Sequence, residues 1–253
     1  MYAVRVRVEA RYRQTRAAAR RRTTGVVVTT FALVHGAWHG AWCFDALAAE
    51  LRRRGHTAVA VDLPVDAPDA GAERYAEVVA DGLRGFAGPP VLVGHSMGGL
   101  VLPLLPALLP VRRLVLLCAL LPRPGHAFLD GPGKTAPAPV AGLLLDELRR
   151  SRWTPDGAVR VLYGGVDPDV ARVAAARLRP QADLPFTETT PLRAWPEVPT
   201  TSVYGVDDTV VPPALFVPAA RELLGVEPVL VPGHHFAILS SAAAVAGLLD
   251  ELA

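Results

Sequence analysis

Ser96 stands in Gly94-His95-Ser96-Met97-Gly98-Gly99, directly after the apolar run Val91-Leu92-Val93. The pattern glycine-x-serine-x-glycine, between a β-branched run and an apolar helical stretch, is that of a nucleophilic serine on a sharp strand-to-helix turn. Such a turn strains the serine backbone, so its flanks must lack bulk. Gly94 and Gly98 meet that need, and Gly99 lets the following helix pack closely. The turn also places the hydroxyl at a helix N-terminus, where the backbone dipole favours developing negative charge. A serine hydroxyl is a weak nucleophile until an oriented base takes its proton. Sites of this build carry serine, carboxylate and histidine in that chain order, so both partners must follow residue 96.

Two positions satisfy this. After a strand predicted over residues 200–204 comes Gly205-Val206-Asp207-Asp208-Thr209-Val210-Val211-Pro212. Asp208, three residues after Gly205 and four before Pro212, suits a loop bending toward a cleft and is chosen as the acid. Asp207 is read as a turn or helix-cap aspartate. After the last predicted strand, residues 228–231, comes Pro232-Gly233-His234-His235-Phe236. His235, directly before the run that opens the final helix, is chosen as the base, with His234 beside it as the competing choice. Imidazole titrates near working pH with little tuning.

Acyl transfer also needs two backbone N–H groups aimed at the developing oxyanion. Met97, the residue after the serine, should supply one. The loop Leu33-Val34-His35-Gly36-Ala37 should supply the other from Ala37, with Gly36 letting the backbone turn inward. Of the remaining histidines, His95 reads as a packed support, and His56 and His126 as loop residues. His35 and His39 flank a glycine turn and lack the further ligands a metal would need. No metal and no cofactor are expected. Cys43 and Cys118, the two cysteines, sit in apolar runs, which implies buried thiols rather than a disulfide framework.

These residues need a scaffold, and the sequence describes one. Short apolar runs at 30–34, 57–63, 90–94 and 113–120 alternate with helical stretches at 42–54, 75–86 and 97–109. Alternation lapses over the Pro- and Gly-rich residues 122–197, with helical patches near 140–150 and 168–178. It resumes at 200–204, 213–224, 228–231 and 240–252. The fold class is therefore α/β: a mostly parallel sheet with helices on both faces and a small helical cap insertion. Residues 29–121 and 198–253 form the core and 122–197 the cap. Residues 1–28 are a basic extension, with eight arginines against one acid in the first 22, read as non-catalytic. An export signal is disfavoured, because its apolar part runs straight into His35-Gly36.

At 253 residues the chain fits one such domain. A net charge of +2 is too small to argue for nucleic acid or an acidic partner, and neither is expected. No apolar run reaches the ~20 residues that span a bilayer. The cytoplasm is the expected location, and a homodimer is compatible with the sequence.

The two stretches Leu33-Val34-His35-Gly36-Ala37-Trp38-His39-Gly40-Ala41-Trp42 and Gly94-His95-Ser96-Met97-Gly98-Gly99 resemble the α/β-hydrolase superfamily. Within it they are most similar to the branch of plant methyl esterases, hydroxynitrile lyases and bacterial esterase-like proteins. The resemblance covers roughly residues 29–253. It implies an α/β-hydrolase fold with Ser96, Asp208 and His235 as catalytic residues and Ala37 and Met97 as the oxyanion hole. Lyases of this branch carry threonine at the position of Gly36 and lysine at that of Phe236, so the resemblance favours ester hydrolysis. The expectation is a carboxylic ester hydrolase for a small or medium apolar ester. Its pocket should be apolar, with residues near 143–148 and Phe128, Trp153 and Phe186 as candidate lining, although core packing of the cap explains them equally well. The alternatives are a lyase, cyclase or acyl transferase on the same residues, or a ligand-binding receptor that retains them.

Overall fold

The computed structural model describes residues 28–131 and 141–253. Most of the basic extension and residues 132–140 therefore lie outside the described residues. Six strands form one sheet: β1 (Thr30–Val34), β2 (Thr57–Val61), β3 (Val91–His95), β4 (Arg113–Leu117), β7 (Thr200–Gly205) and β8 (Val229–Val231). Their order is β2-β1-β3-β4-β7-β8 and every neighbouring pair runs parallel. The strands are short and almost wholly apolar because helices cover both faces.

Alternate residues of each strand feed two cores. Phe31, Leu33, Val91, Val93, Val115, Leu117 and Val203 face one side, against Leu47 and Leu51 of α1 (Asp45–Arg53) and Val245 and Leu249 of α8 (Ala242–Glu251). Val34, Leu92, Leu114, Leu116 and Tyr204 face the other, against Tyr75 and Val79 of α2 (Ala72–Gly82) and Phe216 of α7 (Pro213–Leu224). The buried helix expected over 97–109 is divided. α3 (Gly98–Val101) gives way to a 3-10 turn at Leu102–Ala107, since Pro103 and Pro106 have no N–H to donate.

The register brings the strands' carboxyl ends to one edge. Val34 pairs with Gly94, Gly94 with Leu116, Leu117 with Val203, and Gly205 with Val231. The chain runs from β1 outward to β2, then crosses back to β3 on the other side of β1. Sheets of this kind bind ligands outside the strand ends where the winding reverses. That point lies between the loops after β1 and β3.

Between β4 and β7 the chain leaves the sheet. It forms a two-stranded antiparallel ribbon, β5 (Leu143–Leu145) with β6 (Ser151–Trp153), then α4 (Pro155–Val161), α5 (Pro168–Ala176) and α6 (Leu184–Thr187). Thr154 and Asp167 cap α4 and α5 through their side chains. The ribbon corrects the helical patch expected near 140–150. The Asp146 carboxylate accepts the N–H groups of Leu148 and Arg150 at 3.0 and 2.9 Å, and Arg149 turns at φ 58°. A side chain that satisfies turn amides competes with the helix. The same turn points Leu144, Leu145 and Leu148 into solvent, so these three do not line a pocket. Among the described residues, no helix is long and apolar enough to cross a membrane.

Candidate active site

β3 ends in the turn that carries Ser96, and Ser96 adopts φ 54°. A non-glycine residue in the left-handed region is strained and persists only where its surroundings hold it. Ser96 N–H donates to Leu117 O at 3.3 Å, and Ser96 O accepts from Gly99 and Leu120 at 3.0 and 2.9 Å. The flank expected to lack bulk has no room for it: a Cβ on Gly98 would lie 2.6 Å from Val34 O.

Asp208 and His235 come together from the loops after β7 and β8. His235 Nδ1–H donates to Asp208 Oδ2 at 2.8 Å, with both side chains buried. Asp208 Oδ1 accepts the N–H groups of Val210 and Val211, each at 2.8 Å. The loops are tied by Asp207 N–H to Gly233 O at 3.0 Å. His95 donates Nε2–H to His235 O at 3.0 Å, and the two rings lie 4.6 Å apart, which sets His235 against the residue preceding Ser96. Burial holds the His95 imidazole well below its ordinary pKa, as a neutral support. His234, the competing choice, packs elsewhere: a Cβ on Gly165 would lie 2.5 Å from its ring.

The loop after β1 borders the same turn. A Cβ on Gly36 would lie 2.7 Å from Ser96 Cβ and 3.3 Å from Ser96 Oγ. Ala37 and Met97 are both buried, and among the described residues neither N–H donates to a protein acceptor. Buried amides normally find partners, so these two are free to serve a ligand. Trp38 is held at φ 63°. Its N–H donates to Gln181 Oε1 at 3.3 Å, its O accepts from Arg179 N–H at 2.8 Å, and its indole N–H donates to Ser151 Oγ at 3.0 Å. His39 donates from Nδ1 to Ala37 O at 2.7 Å and accepts the Tyr163 hydroxyl at 2.8 Å. Its ring stacks on Phe236, 4.5 Å between centroids.

Several neighbours were not singled out in the sequence. Cys118, read as a thiol in apolar surroundings, sits at φ 46° with its sulfur close to Asp208 and His235. The three donor atoms lie within 4.8 Å of one another, which makes this a group able to contact a metal ion, but His235 Nδ1 and Asp208 Oδ2 already engage each other. Burial, with the Asp208 charge second, pushes the thiol pKa up. Gln181, fully buried, joins the cap to the loop after β1. Away from the site, just before β2, His56, read as a loop residue, is buried and pairs with Asp250 at 2.9 Å.

A profile of the alpha/beta hydrolase family matches residues 31–248. The chain belongs to the α/β-hydrolase family. A pyrethroid hydrolase of Sphingobium wenxiniae is 30% identical over 236 residues, covering 83% of this chain and 82% of that protein. A probable esterase, PIR7A, of Oryza sativa subsp. indica is 40% identical over 106 residues, which is 38% of this chain. The match spans only 40% of the rice protein's length. Among solved structures, a pyrethroid hydrolase from Sphingobium faniae superposes with a TM-score of 0.75 at 25% identity, covering 89% of this chain and 97% of that one. Polyneuridine aldehyde esterase gives the same TM-score at 19% identity, a likeness of fold. The resemblance to the esterase branch read from the two sequence motifs agrees with the family profile and the rice esterase.

Proposed function

We propose that the protein is a carboxylic ester hydrolase working through an acyl-enzyme on Ser96. The observation that carries this reading is the buried 2.8 Å pair of His235 and Asp208, held by His95 against the strained turn of Ser96. Ser96 Oγ attacks the ester carbonyl carbon as His235 Nε2 takes its proton. The tetrahedral oxyanion accepts hydrogen bonds from the N–H groups of Ala37 and Met97. The C–O bond to the alcohol then breaks, and His235 returns the proton to the leaving oxygen. Water, deprotonated by the same imidazole, attacks the acyl-Ser96 ester; the bond from the acyl carbon to Oγ breaks, the imidazolium returns its proton to Ser96 Oγ, and the acid leaves. Asp208 fixes the imidazole with Nδ1 protonated and stabilises the imidazolium that forms.

Names of relatives support an ester substrate: the similar proteins include esterases of rice and a pyrethroid hydrolase. A small or medium apolar ester is the substrate class we assign. Gly36 and Phe236 stand where the resemblance places threonine and lysine in lyases, and the absence of those side chains favours hydrolysis over the lyase alternative.

A panel of p-nitrophenyl esters of increasing acyl length, run on the wild type and Ser96→Ala, tests this. Turnover that vanishes in Ser96→Ala is expected. Retained turnover in that variant, or none on any ester by folded wild type, would overturn the proposal.

A further inference from the structure

We propose that His35 is a positioning residue for ester hydrolysis, fixing through one hydrogen bond the peptide plane that presents the Ala37 N–H to the oxyanion. The proposal rests on the reading of Ser96 as nucleophile and Ala37 as oxyanion donor. His35 follows β1 and is fully buried. Its Nδ1 lies 2.8 Å from the Gly36 carbonyl oxygen, and its Nε2 lies 3.0 Å from the Leu63 N–H. A carbonyl oxygen only accepts and an amide N–H only donates. The ring is therefore the neutral tautomer with its proton on Nδ1.

The Gly36 carbonyl and the Ala37 N–H belong to one planar trans peptide, so they point in opposite directions. An imidazole that holds the oxygen on one side turns the N–H to the other. Gly36 itself has no side chain to resist rotation of that peptide, and its contact with Ser96 forbids one. The restraint has to come from outside the residue, and His35 supplies it. Leu63, just past β2, orients the imidazole in turn, while His39 holds the next carbonyl, that of Ala37. Burial keeps His35 neutral, pulling its pKa down to about 4, with the Arg179 charge adding to the fall and Asp62 opposing it. An N–H aimed in advance at the transition-state oxygen acts on kcat more than on KM.

The two ring nitrogens can be replaced one at a time. Asparagine presents an amide N–H near the position of Nδ1 and keeps the bond to Gly36 O. Glutamine presents an acceptor near the position of Nε2 and leaves Gly36 O without its donor. Losing a whole oxyanion donor costs about 100–1,000-fold, so a loosened one should cost about 10–100-fold. We expect His35→Gln to lower kcat by that factor with KM within about threefold. Its rate of fluorophosphonate labelling at Ser96 should fall in parallel, because the phosphonylation transition state uses the same N–H groups. His35→Asn should stay within about fivefold of wild type on both measures, though both variants lose some thermal stability. Equal losses in the two variants, or a folded His35→Gln with unaltered kcat, would overturn the proposal. Should either variant fail to fold, ¹⁵N-histidine spectra of the wild type decide: a proton on His35 Nε2 refutes it, and one on Nδ1 supports it. A wild type that is not labelled at Ser96 refutes the underlying reading, and the proposal falls with it. A labelled wild type with indistinguishable variants refutes the proposal alone.

Discussion

Replacing Asp208 by asparagine should abolish most activity while leaving the fold nearly intact, and the structure says why. Oδ1 of Asp208 accepts two amide hydrogens, from Val210 and Val211, each at 2.8 Å. An amide NH2 cannot occupy that position, because it would face two donors. In Asp208→Asn the oxygen must therefore take the Oδ1 place and the NH2 the Oδ2 place, 2.8 Å from His235 Nδ1. The NH2 then donates to Nδ1 and forces the ring proton onto Nε2, the nitrogen that accepts from Ser96 in the proposed mechanism. A triad histidine locked in the wrong tautomer costs about 10⁴-fold in kcat, or about 5 kcal/mol of barrier. Both backbone bonds survive, so the stability loss should stay within about 1–2 kcal/mol. Steady-state hydrolysis of p-nitrophenyl acetate gives kcat, and a thermal melt checks folding. Asp207→Asn is the matched control and should behave like wild type. A folded Asp208→Asn variant within tenfold of wild-type kcat would refute the reasoning.

Other perturbations test different parts of the site. Gly36→Ala puts a Cβ 2.7 Å from Ser96 Cβ, so it should displace the oxyanion loop, with kcat down about 100-fold and stability down about 1–3 kcal/mol. Titrating the variant's labelled fraction separates lost activity from lost protein. His235→Ala should cost about 10⁴-fold or more. His234→Ala, which removes only a ring packed on Gly165, should keep kcat within about threefold; the reverse ranking would move the base to His234. Stability should fall with acid in a window set by buried histidines. His35 and His39 have folded pKa values lowered from 6.5 to about 4 and about 3, chiefly by burial. The unfolded chain therefore binds protons that the folded one refuses, and stability present above pH 6.5 is lost as pH falls toward 4. His35 alone contributes about 3 kcal/mol to that loss. Urea melts at pH 7, 5.5 and 4.5 measure it, and a flat profile above pH 4.5 would contradict the buried neutral rings.

Much of this site was legible because its pieces follow local rules. The strands around Ser96 are short apolar runs that alternate with helical stretches, the pattern of a parallel sheet covered on both sides. The order of serine, carboxylate and histidine then pointed to Asp208 and His235 without any view of their contact. The cap was less legible. Leu143-Leu144-Leu145 fits helix or strand equally well, and the outcome turned on Asp146 taking two turn amides and Arg149 accepting a positive φ. Cys118 lay beyond reach for another reason. Its place near Asp208 arises from the pairing of β4 with β7, and nothing in the residues around it signals the left-handed turn. Gln181 meets Trp38 across 143 residues of chain, a contact no local pattern encodes. His35 was visible as half of a glycine turn, but its task depends on where a single proton sits.

Acylation of Ser96 is directly observable by mass. Wild-type protein mixed with a slowly deacylating p-nitrophenyl ester and quenched in acid should gain the mass of one acyl group. We expect that group on the peptide containing Ser96, a matching burst of p-nitrophenol, and neither in Ser96→Ala. Ester turnover with no adduct, or an adduct on any other residue that Ser96→Ala leaves in place, would contradict it.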